Sequence, residues 1–419
     1  MRLQFMRRHQ FMSRHLAERL VTLAAAGVIV SLASCAGQPH QSGNAAVATS
    51  LRDSAPSASA ASAPESTPDS PPPVGPALAS SYLVDLTWLS GERGWALVAA
   101  PCSSGMCSRV AATRNGGRSW TPLSVPAGLG RNWQISQIRF ATAKFGYLFG
   151  PTLYQTRDGG HSWRRVRSRP VEALQPAGGT VLRLVYDHSG CPGPCNRTLQ
   201  EAVAGSDAWR TLLRIPLARA NGDITAQIIR PGTRVIYVPV YGNLAGGQGG
   251  IKAVIFRSTN AGRSWQRLPD PCGGSGRNTH AVATMSAGAR GYLAVLCDSL
   301  SGPGRTFIRT SEDYGSSWGL PRMVPSGLQL LATPRPGRLV LATGGVSGSG
   351  PFAYRLDFSG DDGLHWTTIV TGTTQLGPQA AAPAILAFAG SRSGWWASDS
   401  QDVWITSDGG LDWRRRPFA

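Results

Sequence analysis

Thr156-Arg157-Asp158-Gly159-Gly160-His161-Ser162-Trp163 reads as a complete turn. An Asp side chain bonds the main chain just beyond it, Gly accepts positive φ, and the Thr hydroxyl closes the loop. The octapeptide therefore joins two antiparallel strands. The same pattern stands at Thr113 to Trp120 with Asn115, Ser258 to Trp265 with Asn260, and Ser311 to Trp318 with Asp313. It returns at Ser359 to Trp366 with Asp361 and at Thr406 to Trp413 with Asp408. Between Trp163 and Trp265 the interval doubles, and near its middle stands Ser206-Asp207-Ala208-Trp209, read as a worn copy without its glycine. The seven tryptophans are then 43, 46, 56, 53, 48 and 47 residues apart.

That period suits a repeating four-stranded unit. Upstream of the second turn, Ile135-Ser136-Gln137-Ile138-Arg139-Phe140 alternates as a strand, Phe145 to Gly150 gives a second, and Leu153 to Thr156 a third. The Gly-aromatic second strand recurs as Gly94-Trp95-Ala96, Gly291-Tyr292-Leu293 and Gly394-Trp395-Trp396. Each unit thus supplies a whole blade. The expected fold is all-β: a seven-bladed β-propeller of four-stranded antiparallel blades over residues 81–419. Its ring closes by packing the last blade on the first. In such a fold each turn carboxylate is a satisfied turn residue and each tryptophan packs between blades.

The composition agrees. Hydrophobic residues make up 42% and charged residues 15%, with 51 Gly and 30 Pro spread along the chain, as many short strands and tight turns require. The 41 basic residues include only two lysines, Lys144 and Lys252, and exceed the 23 acids to give a formal charge of +18. Arginine forks suit carboxylate and phosphate partners, although an arginine-rich codon bias produces the same excess. Two clusters are candidate basic surface: Arg164, Arg165, Arg167 and Arg169 after the second turn, and Arg414, Arg415 and Arg416 after the last.

The N-terminus reads as an address. Arg2, Arg7, Arg8, Arg14 and Arg19 precede an apolar run from Leu20 to Ala33, too short to span a bilayer, which ends in Leu32-Ala33-Ser34-Cys35. This resembles a bacterial lipobox, and implies a lipoprotein signal peptide at 1–34, lipidation of Cys35 and an extracytoplasmic, membrane-anchored protein. Residues 35–80 are rich in Ala, Ser and Pro, with few large apolar side chains, and read as a disordered tether. The charge would suit nucleic acid, but the exported compartment does not.

Six further cysteines in an exported chain suggest disulfides, and proximity pairs Cys102 with Cys107, Cys191 with Cys195 and Cys272 with Cys297. Cys191-Pro192-Gly193-Pro194-Cys195 has ligand-like spacing, but no second His or Cys pair matches it, so no metal is expected. No cofactor motif, phosphate loop or nucleophile triad is present either, and no catalytic residue is assigned.

The octapeptide resembles the Asp-box, or BNR, repeat. Together with the Gly-Trp/Tyr strands it is similar to the photosystem II stability/assembly factor-like branch of Asp-box propellers across residues 82–417. That resemblance implies a non-enzymatic scaffold docking onto membrane-protein subunits, although the photosynthetic role itself does not transfer. Sialidases share the Asp-box, but Arg214-Ile215-Pro216 follows the third turn instead of preceding the first, and reads as the end of a fourth strand. A glycosidase needs two facing carboxylates. Asp85, Glu92, Glu172, Asp187, Glu201, Asp223 and Asp357, among the few acids outside the turns, show no recognisable pairing. The expected function is a protein-binding or assembly scaffold of the cell envelope. A module binding an anionic glycan or lipid is second, and a hydrolase third.

Overall fold

A computed structural model describes residue 78 and residues 81–418, apart from 103–104, 127–134, 151, 188–195, 218–220, 244–251, 274–279, 300–305, 326–328, 344–350, 376–384 and 398–400. The proposed signal peptide, Cys35, and the Cys191–Cys195 pair lie outside the described residues.

The described chain forms seven four-stranded antiparallel sheets, each a meander of consecutive strands. In blade 1 these are Tyr82–Trp88, Gly94–Cys102, Gly105–Thr113 and Thr121–Leu123. Blades 2 to 7 occupy 137–166, 171–215, 221–268, 280–323, 329–375 and 385–417. First strands approach the first strands of neighbouring blades, as Tyr82–Trp88 does with Gln137–Phe140 and Ile385–Ala389, so they are innermost. The arrangement is the seven-bladed propeller expected from the tryptophan spacing.

The Gly-aromatic strands have a packing cause. Trp88 and Phe140 end their first strands, and Phe388 stands one residue before the end of its own, opposite Gly94, Gly146 and Gly394. A Cβ on those glycines would come within 2.5–2.6 Å of the facing ring, so only glycine lets the ring lie flat on its neighbour. The fifth blade departs from the expected strand. Gly291 has φ +83° and closes a short 3-10 turn, Ala289–Gly291, and the strand begins only at Leu293. Arg214 and Ile215 do end the fourth strand of blade 3, Arg210–Ile215.

Seven hydrophobic clusters fill the seven junctions, and each holds the turn tryptophan of the trailing blade. Trp163 packs back onto blade 1, for instance, and Trp318 onto blade 4. The ring closes the same way, without an exchanged strand. Trp88 lies 6.1 Å from Trp395, and Trp120 lies 4.9 Å from Phe418, between ring centroids. Leu78 is fully buried in that closing cluster.

First strands have one edge without a strand partner, and side chains of the preceding blade satisfy part of it. Asp85 accepts from the Ile138 N–H at 2.7 Å, Glu172 from the Ala226 N–H at 2.9 Å, and Thr87 from the Phe140 N–H at 3.4 Å. Buried Arg139 and Arg197 neutralise the two carboxylates, at 2.5 and 2.8 Å. Disulfides join Cys102 to Cys107 across a hairpin and Cys272 to Cys297, tying the connection into blade 5 to that blade's second strand.

Each intact turn has two consecutive left-handed residues. The first tolerates a side chain, as at Ala261 (φ 59°), Tyr314 (63°) and Asp362 (62°). The second is always Gly, because its Cβ would press on the leading blade: Gly262 faces Leu212 at 2.7 Å and Gly315 faces Leu268 at 2.8 Å. Gly262→Ala should therefore lower stability by about 1–3 kcal/mol, combining positive-φ strain with the clash. Ala261→Gly should change it by less than about 1 kcal/mol. Urea titration of both variants checks the contrast.

Candidate functional site

The turns are wired alike. The opening hydroxyl accepts from the N–H of the glycine four residues on, at 2.8–3.1 Å in all six copies. The Asp or Asn oxygen accepts from the N–H four residues beyond it, at 2.9–3.1 Å. The N–H of the first left-handed residue donates to the turn between the first and second strands of its own blade, as Gly159 does to the Lys144 carbonyl. Asn115, Asp158, Asn260, Asp313, Asp361 and Asp408 are thus built into their turns. Burial pushes the Asp158 carboxyl up, but hydrogen bonds from Ser162 and Thr156 outweigh this and hold it at about 2. Bonds from Ser317 hold Asp313 low, and bonds from His365 do the same for Asp361.

Blade 3 lacks these bonds. Its turn is one residue shorter, Val203 ends the third strand where a hydroxyl residue does elsewhere, and the Ser206 hydroxyl accepts from the Ala208 N–H instead. Blade 2 supplies replacements: the Tyr147 hydroxyl accepts from the Gly205 N–H, Arg157 donates to the Gly205 carbonyl, and Arg164 pairs with Asp207 at 2.7 Å. Trp209 keeps its place in the junction, with the Arg183 guanidinium 3.9 Å above its ring.

Reaching across to the next turn is a general use of arginine here. Arg257 donates to the carbonyls of Asp313 and Tyr314, Arg322 to those of Asp361 and Asp362, and Arg338 to that of Asp408. Part of the basic excess is thus internal mortar.

The two basic clusters divide similarly. They lie at the outer strands of blades 2 and 7, Arg164–Val166 and Arg414–Pro417, which flank blade 1 in the ring. Arg164, Arg169 and Arg415 pair with Asp207, Asp187 and Asp402. Arg165, Arg167 and Arg414 are exposed, and no bond ties their side chains among the described residues. The acids outside the turns are mostly engaged. Asp85 and Glu172 hold the first strands, Glu201 meets Arg210 and Arg230, Asp357 meets Arg355, Asp187 meets Arg169, and Glu92 faces Arg118 at 3.8 Å. The Asp223 side chain lies outside the described residues. Among the described residues no group of three or more His, Cys, Asp or Glu is placed to hold a metal.

Between blades 1 and 2 lies a cleft of about 470 Å³ lined by Arg93, Trp95, Thr113, Arg114, Thr121, Leu123, Asp158 and His161, among others. Sequence reading singled out neither Arg93 nor Arg114, because each sits in an ordinary turn and only the fold brings them together. Beneath them the Trp95 indole donates to the Gly159 carbonyl at 3.0 Å and stacks on Phe140 at 3.8 Å.

No protein-family model and no curated protein matches the chain. Among solved structures it is similar to YCF48 bound to a D1 peptide, at 16% identity, covering 79% of this chain and 92% of that one, with a TM-score of 0.48. It is similar also to the GH74 xyloglucanase from Xanthomonas campestris, at 16% identity, 80% and 54% coverage and a TM-score of 0.50. The acylaminoacyl peptidase from Pyrococcus horikoshii gives 10%, 80%, 52% and 0.51. These two enzymes share the fold, and fold alone brings no activity with it.

The turn carboxylates make an acid limb in stability. The Asp158 value lies below its ordinary 3.8, so its stabilisation is complete above pH 3.8 and is lost as pH falls through about 2. Melting temperature should fall between pH 4 and pH 2. Asp158→Asn should already be less stable at pH 7 and show a shallower fall, as followed by circular dichroism.

Proposed function

We propose that this chain is an extracytoplasmic, lipid-anchored propeller that docks a protein partner of the cell envelope and holds it for assembly, without chemistry of its own. The observation that carries the docking is apolar. Leu320 (84% exposed), Met323 (52%), Leu364 (60%) and Leu411 (44%) stand on the consecutive blades 5, 6 and 7. Leu364 and Leu411 occupy the same position of neighbouring turns, and Arg322, beside Met323, bonds the turn that bears Leu364. Large apolar side chains exposed along one rim suit a protein interface.

The engagement of Asp85, Glu172, Glu201 and Asp357 in ion pairs speaks for binding over hydrolysis, since a glycosidase keeps two carboxylates free at its cleft. The lipobox at Cys35 and the tether behind it support the anchored setting. The open cleft favours a second reading, glycan binding.

Crosslinking in cells followed by mass spectrometry tests the docking. Repeated capture of one envelope complex is expected, lost on Cys35→Ala and reduced at least tenfold by Leu364→Asp with Leu411→Asp. Capture unchanged by both variants would contradict the proposal.

A further inference from the structure

At the cleft between blades 1 and 2, two positions that carry an arginine reaching the next turn at another junction carry aliphatic side chains. At the junction of blades 4 and 5, Arg257 fills the corresponding space and donates to Asp313, Tyr314 and the Ser316 hydroxyl. Arg257 stands immediately before the hydroxyl that opens its turn, Ser258; the residue in that position of blade 1 is Ala112, before Thr113. Arg322 lies opposite Ile308 in its sheet, and the residue in that register of blade 1 is Leu123, opposite Val110. Two positions that carry interblade guanidinium groups elsewhere thus carry a methyl and an isobutyl group here. The volume they leave, about 470 Å³, lies within the range of small-ligand sites, roughly 300–1,000 Å³.

Two other guanidinium groups line this space. Arg93 and Arg114 are exposed, and neither side chain has a hydrogen bond or ion pair among the described residues. Arg157, at the turn position of Arg114 in blade 2, is by contrast tied to the Gly205 carbonyl. The equivalent carbonyl ahead of Arg114, that of Gly159, is already taken by Trp95. The floor adds one fixed negative charge, since both Asp158 carboxylate oxygens accept bonds from Thr156 and Ser162 and the group stays ionised. Two arginines against one carboxylate leave a net charge of one, which a singly charged oxyanion neutralises and a phosphate dianion exceeds. The remaining walls mix Thr121 with the aliphatic side chains of Ala112, Ala143 and Leu123. A sugar ring has that character, with hydroxyl edges and C–H faces, whereas a lone acidic peptide side chain leaves most of the volume empty.

We propose that this cleft is a binding subsite for a uronate, a pyranose ring bearing one carboxylate, within an acidic polysaccharide. Arg93 and Arg114 clasp the carboxylate, and Thr121 meets the ring hydroxyls. The subsite goes beyond the docking surface on blades 5–7 and does not depend on it.

Titration calorimetry of the full chain with trigalacturonate tests it. Saturable binding is expected, weakened at least tenfold by Arg93→Ala with Arg114→Ala, and abolished by Ala112→Arg, which places in the cleft the guanidinium that Arg257 supplies between blades 4 and 5. Maltotriose, triglutamate and inorganic phosphate should bind at least tenfold more weakly, and Leu364→Asp with Leu411→Asp should leave the titration unchanged. Should Ala112→Arg fail to fold, the double arginine variant decides, because both side chains are exposed and unbonded. Absence of binding, equal affinity for maltotriose, triglutamate or phosphate, or an affinity untouched by the arginine substitutions would overturn the proposal.

Discussion

Everything in this fold depends on a reversal of the chain through two successive left-handed residues, locked by one hydroxyl and one carboxylate or amide. The reversal folds the third strand onto the fourth and throws the tryptophan, three residues beyond the second left-handed residue, backwards onto the blade before it. Local turn chemistry thereby fixes the long-range packing: the glycine that permits the turn presses on an aliphatic side chain of the leading blade, and the tryptophan fills the same junction. Each blade turns apolar side chains to both neighbours and cannot bury them alone, so it depends on the junctions on either side of it.

Once junctions carry the structure, the arginine excess takes on a different meaning. Guanidinium groups bind main-chain carbonyls well because their planar fork supplies several donors at once, and Arg257, Arg322 and Arg338 use it to pin the trailing turn. Arg139 and Arg197 neutralise the buried acids that clasp the first strands. What remains for solution is a smaller set, among it Arg93, Arg114, Arg165, Arg167 and Arg414. The cleft between blades 1 and 2 lies at a junction without this device, and its chemistry follows from the two arginines beside it.

The octapeptide and its spacing made the blade count legible, because the turn demands particular residue types at fixed offsets. The Gly-aromatic strands were legible as a recurrence, but their cause, a ring lying on a glycine across the sheet, needed the register. Asp85 with Arg139 and Glu172 with Arg197 could not be read in advance: the first pair, 54 residues apart, meets only because blades 1 and 2 pack together, and the second, 25 residues apart, meets across two strands of blade 3. Ser206 to Trp209 was recognisable by its tryptophan and its place in the doubled interval, since much of its bonding comes from blade 2. Arg93 and Arg114 carried no signal for the same reason, as a site between repeats is written in neither repeat.

The closing junction is where the ring claim is most exposed, because Trp88, Trp120, Trp395 and Phe418 hold the first and last blades together without a shared strand. Equilibrium unfolding of Trp120→Ala, followed by tryptophan fluorescence and by circular dichroism, tests it directly. One cooperative transition is expected in both signals, shifted by about 3–5 kcal/mol, the usual cost of truncating a large buried aromatic. A shift below about 1 kcal/mol, or a separate early transition confined to one signal, would show that the blades stand independently of the ring.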